Sequence, residues 1–576
     1  MIRVHLFTNP DALIQRFIKK EMYLHFAATM SRPNALIYAV ARVFQNKNPN
    51  FTVSMAGMHS SGHALTIAKV IKKLITGFAG DNYPRPIPNR MYSKILEGQP
   101  YEVELWSLLS FVQRFMAGAL KLPGFITNSL IGSDMVHDKL GKTLFEFDNP
   151  KKLGEKLAMV TPLNPDITFV HGVCADRNGN IMLAAPYGEG IWSALAAKKG
   201  VLASVERIVP AGAIPPELIH IPGSRVLGVC EIPFGAHPQS LRVKKNILNQ
   251  VKGLSDLVTY RDDYEFIIEA NSVGESDLQA DVWFLYWVNL VGGYDTYIDL
   301  LGEDRLEELT EPPDFQKMAA RRGIIVEQDT SDCNETEQMI ILTARAITDL
   351  VKKNKYKTIL AGIGAAHMAA WTAAFFLEDE DIPIKIISEM GFYGTTPYPG
   401  DVFLFSQMHA DTTEQLSDVT QILGSLVPRD CLGVLGTAEI DIDGNINSTR
   451  LPNGKFLVGS GGANDIASTA DCIVVAKALK SRFTKKVNFI TSPGKNVKQV
   501  LCQFGRFTRG KDKNFYLSHW RPPITDPDIT PKEAIQNYTS WNLEYKDPVF
   551  EKPVTPKELG ILRKLDPQKI FISGKS

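Results

Sequence analysis

The stretch Lys385-Ile386-Ile387-Ser388-Glu389-Met390-Gly391-Phe392-Tyr393-Gly394 is where this chain's residue types best suit chemistry. An apolar, β-branched run ends in a polar pair and two glycines, which reads as a short buried strand followed by a tight turn. A carboxylate at the C-terminal end of a strand is displayed from a rigid base, where open α/β sheets place their ligands. Glu389 is therefore the first candidate for a catalytic group. The second dense stretch is Val458-Gly459-Ser460-Gly461-Gly462-Ala463-Asn464-Asp465-Ile466-Ala467-Ser468. Its glycines allow the backbone to approach a ligand and to aim N–H groups at a developing oxyanion. Asn464 or Asp465 is expected to cap the helix that follows.

Two further constellations carry weaker signals. Gly57-Met58-His59-Ser60-Ser61-Gly62-His63 follows an alternating strand and precedes an expected helix over Ala64 to Leu74, so Ser60 and Ser61 are candidate ligand contacts at a helix start. His59 and His63 are four apart, but Gly62 lies between them and no H-E-x-x-H carboxylate is present, so no metal site is expected. Glu102 and Glu104 share a face of an extended segment and can do acid/base work or form a solvated edge. Arg85, Arg90 and Lys94 are candidate partners for an anionic substrate.

The elements that must hold these residues alternate between strand and helix. Residues 10 to 45 read as helical, Asp166 to Val170 as a strand, Ile191 to Lys199 as a helix, and Gly200 to Glu206 as another strand. Thr358 to Ala361 reads as a strand, and Gly362-Ile363-Gly364 leads into a helix reaching Phe376. That order argues for an α/β architecture with largely parallel sheets. The pattern D-x-x-G-N occurs once in each half, at Asp176 to Asn180 and at Asp441 to Asn445, which suggests two similarly folded halves. Glu303 to Asp332, charged and carrying Pro312-Pro313, is the composition break between them.

Composition excludes several classes. The 63 Lys and Arg balance 63 Asp and Glu, so no global field favours nucleic acid or a membrane surface. The six cysteines include no C-x-x-C pair, which fits a reducing compartment better than a zinc ribbon or disulfide framework. No window approaches about 20 uninterrupted apolar residues, and the N-terminus has no signal-peptide core, so a soluble cytoplasmic protein is expected. The partial G-x-G at Gly362 lacks the rest of a dinucleotide fingerprint. A G-x-x-x-x-G-K-[ST] phosphate loop and a G-x-S-x-G elbow are absent as well.

Taken together, the chain resembles a family I coenzyme A transferase of the glutaconate CoA-transferase type, with α-like and β-like subunits fused. In the first half the resemblance rests on Gly132-Ser133-Asp134, Asp176 to Asn180, Ile221-Pro222-Gly223 and Pro233 to Pro238. In the second it rests on Ser388-Glu389-x-Gly391, Asp441 to Asn447, Gly459 to Asp465, Ser492-Pro493-Gly494 and Leu562 to Pro567. It departs from the family at Gly57 to His63, which is not a Gly-Gly-Phe-Gly-like loop. It departs also at Met390, where related enzymes often have Asn, and at Glu439, where Gln is common.

The resemblance implies two related open α/β domains with mostly parallel sheets and an active site between the halves. The α-like domain would be 1–305, a linker 306–334, and the β-like domain 335–576. It implies ping-pong transfer of CoA between an acyl-CoA and a carboxylic acid, with Glu389 forming a glutamyl-CoA thioester. Gly459, Gly461, Gly462 and Ala463 would form the oxyanion and CoA loop, with Ser388 and Gly391 beside the substrate. Coenzyme A enters as substrate, no cofactor is held permanently, and a homo-oligomer is compatible with it. The alternatives are acyl-CoA hydrolysis, C–C bond hydrolysis or decarboxylation with Glu104 as base, and a non-catalytic CoA-binding protein.

Overall fold

The structure, a computed structural model, describes residues 4–289, 293–312, 332–398, 401–543 and 547–573. Its strands begin with β1 (His5–Phe7), β2 (Tyr23–Phe26), β3 (Phe51–Met58), β4 (Ile71–Ala79) and β5 (Glu102–Leu105). β6 (Phe125–Thr127), β7 (Leu144–Asp148) and β8 (Lys156–Val160) make a small antiparallel sheet of their own. β9 (Ile167–Asp176), β10 (Ile181–Met182), β11 (Gly200–Val209) and β12 (Val226–Glu231) return to the main sheet. The order is β1-β12-β11-β9-β2-β3-β4-β5 with every neighbour parallel, and only the short β10 pairs antiparallel, with β9.

Two helical expectations fail here. Residues 10 to 45 are two helices, Pro10–Phe17 and Asn34–Phe44, separated by β2. The helix expected over Ala64 to Leu74 stops at Ile67, and Ile71–Ala79 is the parallel strand β4. In both cases an apolar run sits buried between neighbouring strands, where pairing overrides a helical period read from the side chains alone.

The second sheet contains β13 (Thr358–Ala361), β14 (Lys385–Ser388), β15 (Phe392–Tyr393), β16 (Gln415–Leu416) and β17 (Cys431–Gly436). β18 (Glu439–Ile440) and β19 (Ile446–Asn447) pair with each other, and β20 (Asp471–Val475), β21 (Val497–Cys502), β22 (Gly505–Arg509), β23 (Phe515–Trp520) and β24 (Val549–Phe550) complete the sheet. Its order is β16-β15-β14-β13-β17-β20-β21-β22-β23-β24, parallel through the centre and mixed toward both ends. The expected architecture of two α/β sheets is therefore the observed one. The helix Pro556–Leu565 closes the chain over this sheet, burying Leu562 among Ile340, Ile341 and Trp371. Of the expected linker, residues 313–331 lie outside the described residues, and Glu303–Thr310 is helical.

The repeated pentapeptide is a repeated structure. Asp176 Oδ1 accepts the N–H groups of Asn178 and Asn180, and Asp441 Oδ1 accepts those of Asp443 and Asn445. Asn180 Oδ1 then takes the Gly223 N–H at 2.9 Å, and Asn445 Oδ1 takes the Gly494 N–H at 2.9 Å. Both turns need glycine at their fourth position, with φ of +86° at Gly179 and +81° at Gly444.

The halves share one hydrophobic core. Trp106, Phe111 and Phe115 from the first half pack in one cluster with Val419, Ile422, Leu423 and Ile466 from the second. The helix Leu108–Ala119 carries this contact, apolar on the face that meets the second half. A joint of this kind is a continuous core rather than a polar interdomain surface.

Candidate active site

The carboxyl ends of both sheets open into one cleft of about 920 Å³. Ala28 to Arg32 follow β2, Gly57 and His59 end β3, and Asn82 to Pro88 follow β4. Gly362 to Ala365 follow β13, Glu389 and Met390 follow β14, and Thr437 and Ala438 follow β17. In each sheet the strand order reverses near these ends, at β2/β9 and at β13, which is where open sheets leave a crevice.

Glu389 stands at the end of β14 on a turn that Gly391 makes possible. Gly391 has φ +130°, its N–H donates to the Ser388 carbonyl at 3.0 Å, and its carbonyl accepts the Ser417 N–H at 2.7 Å. A Cβ at this position would overlap the Ser417 carbonyl and lie 2.8 Å from Pro186 Cβ. Gly391 thus builds the turn, whereas Ser388, buried with an unpartnered hydroxyl, does not line the cleft.

The Glu389 carboxylate lies against the glycine loop. A Cβ built on Gly462 would overlap Oε2 outright, and one on Gly461 would lie 3.9 Å from Oε1. Burial pushes the carboxyl up to about 7, nearby Asp465 adds to the rise, and the hydrogen bond from the Gly462 N–H opposes both. A group poised near neutrality in a cleft is what nucleophilic or proton-transfer chemistry uses.

The loop itself is pinned to β4. The Ser460 and Gly461 N–H groups both donate to the Gly77 carbonyl, at 3.1 and 3.0 Å, and the Ala79 N–H donates to Val458 at 2.9 Å. The Gly459 N–H donates to Ser448, and the Ala463 N–H to Ser460. Of the two expected oxyanion donors, Gly461 and Gly462, the first is therefore corrected: its N–H, like those of Gly459 and Ala463 in the same loop, is spent on holding the loop. Among these loop residues, the Gly462 N–H is the one that acts on the carboxylate.

Asn464 and Asp465 do not cap their own helix, Ala463–Thr469, whose N-cap is Gly462. They reach into the first half instead. Asn464 Oδ1 accepts the Leu130 N–H at 2.8 Å, and Asp465 Oδ2 accepts the Leu109 N–H at 2.9 Å. The Leu108 N–H donates to the Gly461 carbonyl at 2.9 Å. Helix Leu108–Ala119 lacks a side-chain cap of its own, so the first two N–H groups it leaves unpaired are satisfied across the interface. Burial pushes Asp465 up to about 6, with the Leu109 N–H and the Ser107 and Ser129 hydroxyls pulling the other way.

The remaining candidates separate. Ser61 bonds the Tyr38 hydroxyl at 2.8 Å, and Ser60 lies within 3.3 Å of His59 Nδ1 and 3.4 Å of Gln239 Nε2. Both serines stand behind the cleft wall. His63 pairs with Tyr92 and Asp81, so it shares no ligand position with His59. Glu104 lies outside the cleft, bound to Lys73 at 2.5 Å, Arg114 at 2.9 Å and the Trp106 indole at 2.8 Å. Burial raises its pKa, but Arg114 and then Lys73 outweigh that and hold the carboxyl down to about 2. That environment suits an ion-pair anchor and opposes a general base.

Arg85 does reach the cleft, at its exposed mouth with Lys477 and the half-buried Arg482. Residues that sequence reasoning passed over line the deeper part: Arg32, Gln239 and Asp262 are each at most 9% exposed. No motif marks them; the M-S-R-P-N position of Arg32, just past a strand, was the available signal.

A model of the Coenzyme A transferase family matches residues 7–231. One subunit of the 3-oxoadipate CoA-transferase from Pseudomonas knackmussii is 32% identical over 152 residues, 26% of this chain and 52% of its own length. The chain thus spans about half the length of that relative. Glutaconate CoA-transferase of Acidaminococcus fermentans is similar in both of its subunits. One is 26% identical over 39% of this chain and 70% of its own length, and the other is 28% identical over 24% and 59%. The acyl-CoA transferase YdiF from Escherichia coli O157:H7 shares the fold, with a TM-score of 0.63, 16% identity, and coverage of 99% of this chain and 97% of that one. A single chain of like extent thus carries both sheets in the same arrangement. The chain is thus similar to coenzyme A transferases in three respects: the family model over residues 7–231, the two-sheet fold, and its likeness to both subunits of the glutaconate enzyme.

Proposed function

We propose that this protein transfers coenzyme A between an acyl-CoA and a carboxylic acid, with Glu389 as the covalent carrier. The observation that carries the reading is the Glu389 carboxylate, fixed against Gly462 in the cleft where both sheets end. Its ionised oxygen attacks the thioester carbonyl, and the CoA thiolate leaves to give an acyl-glutamyl anhydride. The thiolate then attacks Glu389 Cδ, releasing the first carboxylate and forming the glutamyl-CoA thioester. An incoming carboxylate attacks that thioester, frees the thiolate again, and the resulting anhydride is opened at its acyl carbon to give the new acyl-CoA.

The Gly462 N–H has a defined part in this scheme. It already bonds the Glu389 carboxylate, so it donates to the oxyanion when Cδ becomes tetrahedral. Removing such a donor in other enzymes costs roughly 3–4 kcal/mol. The cations at the mouth suit the phosphates of coenzyme A. Arg85 and Arg482 form no ion pair among the described residues, and burial followed by repulsion from Arg85 lowers the Arg482 pKa. The names of the relatives, 3-oxoadipate and glutaconate CoA-transferases, fit the same class of reaction.

The test is to incubate the protein with acyl-CoAs and no acceptor, trap with hydroxylamine or borohydride, and map the modified peptide. Modification of Glu389, lost in Glu389→Gln, is the expected result. Acyl-CoA consumption with Glu389 unmodified throughout would overturn the transfer mechanism. Release of free CoA through a modified Glu389 would instead indicate hydrolysis.

A further inference from the structure

Arg32 is a buried cation with almost nothing to hold it. Nη1 donates to the Gly57 carbonyl at 3.0 Å, and its other N–H groups make no hydrogen bond among the described residues. It forms no ion pair there either. Glu189, the carboxylate whose charge acts on it, takes the Ala28 N–H on Oε1 at 2.6 Å, leaves Oε2 without a hydrogen-bond partner, and makes no ion pair with Arg32. A guanidinium taken out of water without a carboxylate is costly, and its planar fork is built to bind one through two N–H groups.

The groups around it are arranged as donors. A Cβ on Gly57 would lie 3.7 Å from Arg32 Nη2 and 3.1 Å from His59 Cδ2, so guanidinium and imidazole flank one point in the cleft wall. Burial, then repulsion from Arg32, holds His59 neutral well below its ordinary range. Gln239 has its Oε1 occupied by Asn34 Nδ2 at 2.6 Å, which leaves its amide N–H groups to face Ser60 and the cleft. Asp262 lines the same cleft with both oxygens engaged elsewhere, Oδ1 by the Ser240 N–H at 3.3 Å and Oδ2 by the Ser240 hydroxyl at 3.1 Å, and burial, then Asp401, pushes its carboxyl up to about 7. The loop is also close to the reacting end: a Cβ on Gly188 would overlap the Ala28 carbonyl and lie 3.0 Å from Met390 Cε, the neighbour of Glu389.

We propose that Arg32 is the specificity-determining residue of the acyl end, pairing with a second carboxylate carried by the acyl group or by the acceptor acid. The preferred substrates are then short dicarboxylic acids and their mono-CoA esters, and plain monocarboxylic acids are rejected because they leave the guanidinium unpaired. The inference rests on the transfer reading above only for its placement of the acyl group, since carboxylate binding at Arg32 needs no turnover.

The experiment separates the two. Glutarate and butyrate are titrated into the Glu389→Gln protein, with and without Arg32→Gln or Arg32→Lys, and coenzyme A binding serves as the check on folding. Glutarate should bind and butyrate should not. Arg32→Gln should weaken glutarate at least about 100-fold, and Arg32→Lys should recover part of the loss. Glutarate affinity unchanged by Arg32→Gln, or equal affinity for butyrate, would overturn the proposal. In proteins retaining Glu389, glutaryl-CoA and butyryl-CoA are then compared for labelling of that residue. Butyryl-CoA labelling as well as glutaryl-CoA, with or without Arg32, would sink the specificity claim and leave the transfer mechanism standing. Glutarate bound through Arg32 while no acyl-CoA labels Glu389 would support the site and overturn the mechanism.

Discussion

Gly462 and Glu389 are matched so closely that no side chain fits between them: a Cβ on Gly462 would overlap Glu389 Oε2 and lie 3.0 Å from its Cδ. The carboxylate takes its position and its hydrogen bond from the same glycine.

Gly462→Ala should therefore abolish labelling of Glu389, by at least about 1,000-fold when lost placement adds to the lost N–H contact. The Gly461→Ala change is the control. Its Cβ would lie 3.9 Å from Oε1, and its cost is backbone strain at φ +52°, about 1 kcal/mol of stability. Activity of the Gly461 variant should stay within about tenfold of the parent, measured beside the apparent unfolding temperature.

The raised pKa of Glu389 sets a pH dependence with a definite sign. Only the ionised form attacks, so single-turnover labelling should rise with pH to a plateau, with its midpoint at about 7. The same shift favours the protonated acid in the fold, so its stabilising contribution is whole below the ordinary 4.5 and is lost as pH rises through about 7. Glu389→Gln should accordingly raise the apparent unfolding temperature at about pH 8 and leave it unchanged at about pH 4.

Asp465 supplies like charge to Glu389 and an acceptor to the Leu109 N–H. Asp465→Asn keeps the acceptor and removes the charge, so the labelling midpoint should move to lower pH with little loss of stability. Asp465→Ala should shift the midpoint similarly and also cost about 1–2 kcal/mol, because the first turn of the helix Leu108–Ala119 loses its cap. Equal midpoints in all three proteins would sink the charge argument.

Glu104→Gln should destabilise the protein without altering the labelling of Glu389. Removing the carboxylate leaves Arg114, 3% exposed, without its partner, a change that costs about 3–5 kcal/mol at buried pairs. Because Glu104 is held down to about 2, its stabilising contribution is present above its ordinary 4.5 and is lost as pH falls toward 2. Labelling lost in a folded Glu104→Gln protein would restore the reading of Glu104 as a base.

At the mouth, Arg85→Ala and Arg482→Ala should each weaken coenzyme A binding about tenfold and flatten its dependence on salt. Dephospho-coenzyme A, which lacks the 3′-phosphate, should discriminate less between parent and variants.

What the sequence disclosed were features fixed locally. The D-x-x-G-N turns were legible because an Asx turn closes within five residues, and each recurs with its glycine at positive φ. The strand-then-glycine pattern around Glu389 was legible for the same reason. What stayed hidden depends on contacts across hundreds of positions. Nothing near Asp465 indicates that it caps a helix 356 residues away, and nothing near Gly461 says that its N–H is taken by Gly77. The strand β4 read as helix because its parallel neighbours, which decide the matter, are distant in sequence or unreadable from one strand alone. Arg32 carries no motif, and its isolation is a property of burial.

The core shared by the two halves has a consequence for biosynthesis. Leu109 leaves the ribosome 356 residues before Asp465, its cap. At about 5–20 residues per second that interval lasts on the order of 20–70 s. Through most of it the face of Trp106, Phe111 and Phe115 has no Val419, Ile422 or Leu423 to cover it. The nascent first half therefore carries an apolar face that waits for the second half to be made, and until then that face is open to association with other chains.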